Sequence, residues 1–195
     1  MSSTNGNTIQ PGASQRRIVE DLRRGEAAAQ KQFLRQYAPG VFQLVVRIVG
    51  NQQDAEELTQ DTLLRAIRNI ERYDPDQATL ATWVQRIAYR LAINHLRDHR
   101  RTTVYIEELP ESAIPSDAEL SAFFSKDTSY RVEQLLQALD HLPPDEQTLV
   151  NLFYYDDLPL RDIAYIVEAP PGTIATRLHR IRQKLYHLIQ KNPLQ

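Results

Sequence analysis

Cysteine is absent from the 195 residues, which excludes disulfide scaffolds and thiolate metal centres and leaves a reducing compartment allowed. The six glycines form no phosphate-cradling loop and no nucleophile elbow, so two common enzyme signatures are missing. No apolar run approaches the ~20 residues needed to cross a bilayer. The first 14 residues, MSSTNGNTIQPGAS, lack the apolar centre of a secretory signal. No run of alternating β-branched residues is bounded by turn signals, so no strand is expected. These absences predict a soluble, cytoplasmic, all-helical protein with no membrane insertion, no catalytic residues, no cofactor and no metal.

What is present is strongly segregated charge. The net charge is only −2, yet residues 104–128 hold one Lys and six acids, and residues 129–172 hold two Arg and eight acids. Residues 173–195 hold five Lys/Arg and no acid. Segregation of this kind points to a polyanionic partner. Helical periodicity predicts helices at 15–24, 26–50, about 51–73, 80–100, 129–141, 145–155, 160–167 and 172–191. Residues 102–128 are acidic, carry two prolines and show no sustained period beyond one weak helical turn. The expectation is therefore an all-α fold of two small helical domains joined by a flexible linker. Its parts are a disordered tail over 1–14, a first domain over 15–101, the linker over 102–128 and a second domain over 129–195.

The segment LRDIAYIVEAPPGTIATRLHRIRQKLYHLIQ (160–190) reads as a helix–turn–helix. Pro170, Pro171 and Gly172 break the first helix, and Thr173 is placed to cap the second. Ile174, Leu178, Ile181, Leu185 and Leu188 recur as one buried stripe, while Arg177, Arg180, Lys184 and Lys191 share another face. Half oil and half cation suits a helix lying in a DNA major groove. On charge alone a solvated face on an ordinary helical hairpin is the better reading, and the turn chemistry and the rest of the chain reverse that.

Two earlier helices carry faces of opposite sign. In the helix from Asn51, Ala55, Leu58, Thr62, Leu63, Ala66, Ile67 and Ile70 make the core side. Asp54, Glu57, Asp61, Arg65 and Arg68 line another, with Asp61 and Arg65 spaced as an i,i+4 ion pair. In TWVQRIAYRLAINHLRDHRR (82–101), Val84, Ile87, Ala88, Leu91 and Leu96 point inward. Arg86, Arg90, Asn94, Arg97 and Arg101 form a stripe with Trp83 at its edge. Arginine binds phosphate, Asn can bond a base edge and an aromatic ring can stack on an exposed base, while from this helix alone a solvated face with Trp83 as a core anchor reads equally well. His95 and His99 are spaced i,i+4, but His95 falls towards the core arc and no third ligand is near, which favours packing over metal binding.

Taken together, these stretches resemble bacterial sigma factors of the small, two-domain extracytoplasmic-function (ECF) group. DAEELTQDTLLRAIRNI (54–70) is similar to the family's core-polymerase-binding helix, and residues 82–101 to its −10 promoter-reading helix. Residues 142–185 are similar to its −35-reading domain. The resemblance implies a sigma factor that binds core RNA polymerase at its clamp coiled coil and flap, and directs transcription initiation through −10 and −35 promoter DNA. It implies polymerase binding by Asp54, Glu57, Leu58, Gln60, Asp61 and Arg65. The −10 contacts would fall to Trp83, Arg86, Arg90, Asn94 and Arg97, helped by the loop after Tyr73. The −35 contacts would fall to Arg161, Thr173, Thr176, Arg177, Arg180 and Lys184, and an anti-sigma factor is an implied partner. Glu168 stands where the family usually has Gly, so an uncommon backbone conformation is expected there. Ala175 and Arg161 also depart from the usual residues.

Two other readings compete. A free-standing helix–turn–helix regulator would explain residues 142–190 but leave the third and fourth helices without a role. A metal-dependent hydrolase built on Asp54, Glu57, Asp61 and His95 lacks a complete ligand set.

Overall fold

The computed structural model describes residues 13–99, 115–124 and 129–191, and every regular element among them is helical. The chain divides into two compact units, the first running to His99 and the second from Arg100 on, with Ala164–Glu168 grouping with the first. In the first, α1 spans Ala13–Arg23, α2 Ala27–Val49 and α3 Gln52–Arg68. A 3-10 turn at Ile70–Arg72 leads through a loop to α4, Leu80–His99. Gly25 separates α1 from α2 at φ +74. Gly50, at φ +71, ends α2 as a left-handed cap whose N–H bonds to the Val46 carbonyl at 2.9 Å. Asn51 then starts α3, its side chain accepting the Asp54 N–H at 3.0 Å. The helix boundaries expected from the turn chemistry are thus present, and α2 runs unbroken through Pro39.

Helices α2, α3 and α4 pack on one another. Phe33, Val45 and Leu80 are wholly buried there, together with Ala55, Ala66, Ala88 and Ala92, whose small side chains let the helix backbones approach closely. Thr59 and Thr62 are buried as well, and their hydroxyls donate to the Ala55 and Leu58 carbonyls at 2.6 and 2.7 Å. That back-bonding satisfies the two hydroxyls inside the core.

The second unit contains α5 (Asp117–Phe124), α6 (Ser129–Asp140) and α7 (Pro144–Val150), which continues into a π turn at Asn151–Tyr155. Along the chain there follow α8 (Leu160–Val167) and α9 (Pro171–Lys191). Helices α5, α6 and α7 all pack against α9. Leu142, Leu149, Leu152, Ile163, Ile174 and Ile181 are fully buried. Pro144 opens α7 as its sequence position predicts.

Three expectations need correction. Helix α1 begins at Ala13, so the tail expected over 1–14 is two residues too long, and residues 1–12 lie outside the described residues. The segment expected as linker contains α5, two turns rather than one. Ser116 and Glu119 cap α5 reciprocally: Ser116 N–H donates to Glu119 Oε2 at 2.8 Å and Glu119 N–H donates to Ser116 Oγ at 3.3 Å. Leu120 is buried and Phe123 meets Tyr186 edge-on at 4.8 Å, so this part of the acidic stretch belongs to the second unit. The rest of that expectation, 102–114 and 125–128, lies outside the described residues. Thr173, finally, is not the cap of α9. Pro171 is the first helical residue, the Ile174 N–H bonds to the Pro170 carbonyl at 3.2 Å, and Thr173 sits within the first turn.

Candidate nucleic-acid interface

Helix α8, a three-residue turn and α9 form the helix–turn–helix. At the turn Glu168 adopts φ +57, the left-handed conformation expected where a side chain replaces glycine. Asp157, between the π turn and α8, does the same at φ +49, a second such site that the sequence reading passed over.

The six residues read as −35 contacts are not equivalent. Thr173, Thr176 and Arg180 are exposed on α9, and Arg161 is exposed on α8. The Thr176 hydroxyl donates to the Gly172 carbonyl at 3.0 Å. Arg177 instead lies 2.5 Å from Asp145, with Nη2 against Oδ2, and both are partly covered. Lys184 Nζ lies 2.6 Å from Glu146 Oε1 in a pair that is largely buried. The expectation that Lys184 projects towards DNA is corrected by this contact: its ammonium is committed to the interface between α7 and α9. At about 100° per residue, Arg177 and Lys184 stand roughly 60–80° from the centre of the buried stripe, whereas Arg180 and Thr176 stand roughly 120–160° away. The apolar stripe itself is as expected, with Ile189 buried more completely than Leu188.

In the first unit, Arg90 and Arg97 are exposed on α4, and Arg86 and Asn94 are half-buried. Arg97 Nε lies 3.6 Å from Asp98 Oδ1. Trp83 is corrected from an exposed stacking surface to a core residue. It is 7% exposed and packs on Tyr73, ring centroids 5.5 Å apart. The helical wheel puts Trp83 beside the arginines, but Tyr73 folds back over this first turn of α4 and covers the indole. Burial in turn pushes the Tyr73 phenol up to about 12, and its hydroxyl donates to the Ala78 carbonyl at 3.1 Å. The intervening loop is held at both ends. Asp74 accepts the Asp76 N–H at 3.0 Å and the Gln77 side-chain amide at 2.9 Å. Thr79 caps α4 by accepting the Thr82 N–H at 3.1 Å.

On α3, Glu57, Gln60, Asp61 and Arg65 are exposed, and Asp54 and Leu58 are half-buried. Asp61 and Arg65 form the expected i,i+4 pair at 3.8 Å. Asp54 Oδ2 lies 3.3 Å from His95 Nε2, a contact joining α3 to α4. The His95 ring also stacks on His99 at 4.2 Å. Among the described residues no three His, Cys, Asp or Glu side chains come together as a metal site. Leu64, 47% exposed in the middle of the charged arc, was missed by the sequence reading. The signal was available: it is an apolar residue on a face otherwise made of charges and amides. No described helix is long and apolar enough to cross a membrane.

Comparison with known proteins agrees with this layout. The family described as Sigma-70 region 2 matches residues 33–102, and the one described as Sigma-70, region 4 matches residues 132–185. The chain is 33% identical over 163 residues to the ECF RNA polymerase sigma factor SigE of Mycolicibacterium smegmatis. That match covers 83% of this chain and 62% of SigE. It is 31% identical over 175 residues to the RNA polymerase sigma factor CarQ of Myxococcus xanthus, covering 88% of this chain and 95% of CarQ. In fold it is similar to the sigma factor RpoE of Bartonella quintana, solved in complex with the anti-sigma factor NepR. That likeness has a TM-score of 0.56 at 20% identity, over 82% of this chain and 96% of the other. Two region matches in order along one chain, and a relative such as CarQ covered almost end to end, establish that the chain belongs to the sigma-70 family of RNA polymerase sigma factors, in its extracytoplasmic-function group.

Proposed function

We propose that the chain is a promoter-specificity subunit that acts by binding rather than by catalysis, with the work divided between its two units. The first, residues 13–99, docks on core RNA polymerase through α3 and engages the −10 element through α4 and the loop before it. The docking face comprises Asp54, Glu57, Leu58, Gln60, Asp61 and Arg65, with Leu64 as its apolar centre. Its chemistry fits an arginine-rich coiled coil that also offers an apolar groove. Arg86, Arg90 and Arg97 bind the DNA backbone, and Asn94 reads an unpaired base. Trp83 contributes from inside, by holding Tyr73 and the loop in place. Extruding a base costs a few kcal/mol, so a loop already fixed by its own hydrogen bonds spares the complex the further cost of ordering it.

The second unit reads the −35 element through Thr173, Thr176 and Arg180 of α9, with Arg161 at the backbone. The observation that carries the proposal is the exposure of these residues on a helix–turn–helix, in a chain whose α3 and α4 present an acidic and a basic face on one compact unit. Working beside polymerase places the protein in the cytoplasm. By analogy with the RpoE–NepR complex, an anti-sigma factor that covers these faces would hold the protein inactive.

Run-off transcription with core polymerase and promoters bearing paired −10 and −35 elements tests the reading. The expected result is promoter-specific transcripts that core enzyme alone does not make. No gain over core enzyme on any promoter of the source genome would reject it.

A further inference from the structure

Two acids in the first turn of α7 each hold a cation of α9, and the two pairs differ in one respect that matters. Glu146 and Lys184 are closed off, with side chains 17% and 19% exposed. Asp145 and Arg177 are open, at 41% and 32% exposed. Arg177 sits on the rim of α9, next to the exposed Thr173, Thr176 and Arg180. A guanidinium fork fits a carboxylate or a phosphate in the same bidentate manner, but only one at a time. An ion pair that is partly solvated is weak enough for a phosphate to displace.

We infer that Asp145 is a specificity-determining residue that restrains Arg177. By occupying the guanidinium, it keeps Arg177 off the sugar–phosphate backbone of duplex DNA that lacks the correct −35 bases. On a matching sequence, the contacts of Thr176 and Arg180 bring a phosphate close enough to take Arg177 from Asp145. The freed carboxylate then faces that phosphate, so a poorly seated duplex meets repulsion as well as a missing contact. Discrimination thus comes from suppressing non-specific binding as well as from favouring the right bases. Glu146 cannot act this way, because its pair with Lys184 is sealed inside the packing of α7 on α9. The inference rests on the proposed −35 role of α9.

The test is binding of the full-length chain to a −35 duplex and to a scrambled duplex, by fluorescence anisotropy across a salt series. Asp145→Asn should tighten the scrambled duplex about three- to tenfold and the −35 duplex by less, narrowing the ratio between them. The slope of log K against log salt on the scrambled duplex should steepen by ~0.9, the signature of one additional phosphate contact. Adding Arg177→Ala to Asp145→Asn should abolish both changes. Asp145→Ser, which suits the first turn of a helix, should behave as Asp145→Asn does and serves if the amide variant misfolds. Unchanged affinity and slope in a folded variant, or weaker binding to both duplexes, would overturn the inference. If the wild-type chain binds the −35 and scrambled duplexes alike and Arg180→Ala alters neither, the −35 role itself fails, and this inference with it.

Discussion

Lys184 Nζ stands 2.6 Å from Glu146 Oε1, and each side chain is more than four-fifths covered, so a residue that the sequence places among DNA-binding cations is a strut between two helices. The second carboxylate oxygen, Glu146 Oε2, is buried and has no hydrogen-bond partner among the described residues. Removing the ammonium would therefore leave a covered carboxylate without its counter-charge. Lys184→Ala should lower the stability of the second unit by about 2–3 kcal/mol, slightly below the range for fully buried pairs. Urea unfolding followed by circular dichroism checks this. Lys184→Met, which keeps the packing volume, should not rescue it unless Glu146 is also neutralised.

Arg180 is exposed on the outward arc of α9, and no ion-pair partner for it occurs among the described residues. Arg180→Ala should weaken −35 binding by ~1–3 kcal/mol if the side chain reads a base, with relaxed preference at that base pair. If it meets only a phosphate, all sequences should weaken equally and the salt slope should fall by about one. A gel shift with single-base variants of the −35 element separates the two outcomes.

Asp61→Arg reverses the charge at the centre of the exposed face of α3. Like charges brought together across an interface cost several kcal/mol, so polymerase affinity should fall at least tenfold while −35 duplex binding stays intact. Leu64→Asp should give the same pattern by removing the apolar centre of that face. Pull-down of core polymerase alongside a gel shift measures both halves.

Asp157 is exposed and sits at φ +49, where a β-carbon is strained. Asp157→Gly should raise the stability of the second unit by about 0.5–1 kcal/mol, the relief exceeding the added chain entropy of glycine. Thermal unfolding should show a higher midpoint; a lower one would mean the Asp157 side chain makes a contact worth more than its strain.

Burial raises the Tyr73 phenol from 10.0 to about 12. The unfolded chain gives up this proton at lower pH than the folded chain does. Stability from keeping the phenol neutral is therefore whole below pH 10 and is lost as pH rises from there towards 12. Tyr73→Phe should remove that alkaline component, at a cost of ~1 kcal/mol near neutral pH from the lost bond to Ala78. Unfolding midpoints of both proteins across the alkaline range test the difference.

Local chemistry made most of the fold legible in the sequence. Gly25, Gly50, Asn51, Pro144 and the Pro170–Pro171 pair each mark a helix boundary, because their backbone or capping preferences act over a few residues and need no distant partner. The left-handed backbone at Glu168 is expected from the family resemblance, which has glycine at that position, rather than from local chemistry. What could not be read depended on residues far away in the chain. Trp83 lies on the arginine side of its own helix, yet it is buried and packs against Tyr73, ten residues earlier. Lys184 and Arg177 look like their neighbour Arg180 until α7 supplies Glu146 and Asp145. The angular position of these two cations, close to the apolar stripe, carried part of that information.

The short helix Asp117–Phe124 buttresses α9 from behind, seating Leu120 in the interior and Phe123 against Tyr186. Trimming the polypeptide at Ser129, where the periodic pattern resumes, would strip away this brace and leave a greasy notch along the recognition helix. An autonomous C-terminal fragment should therefore begin near Pro115, and one begun later should be stickier and melt earlier.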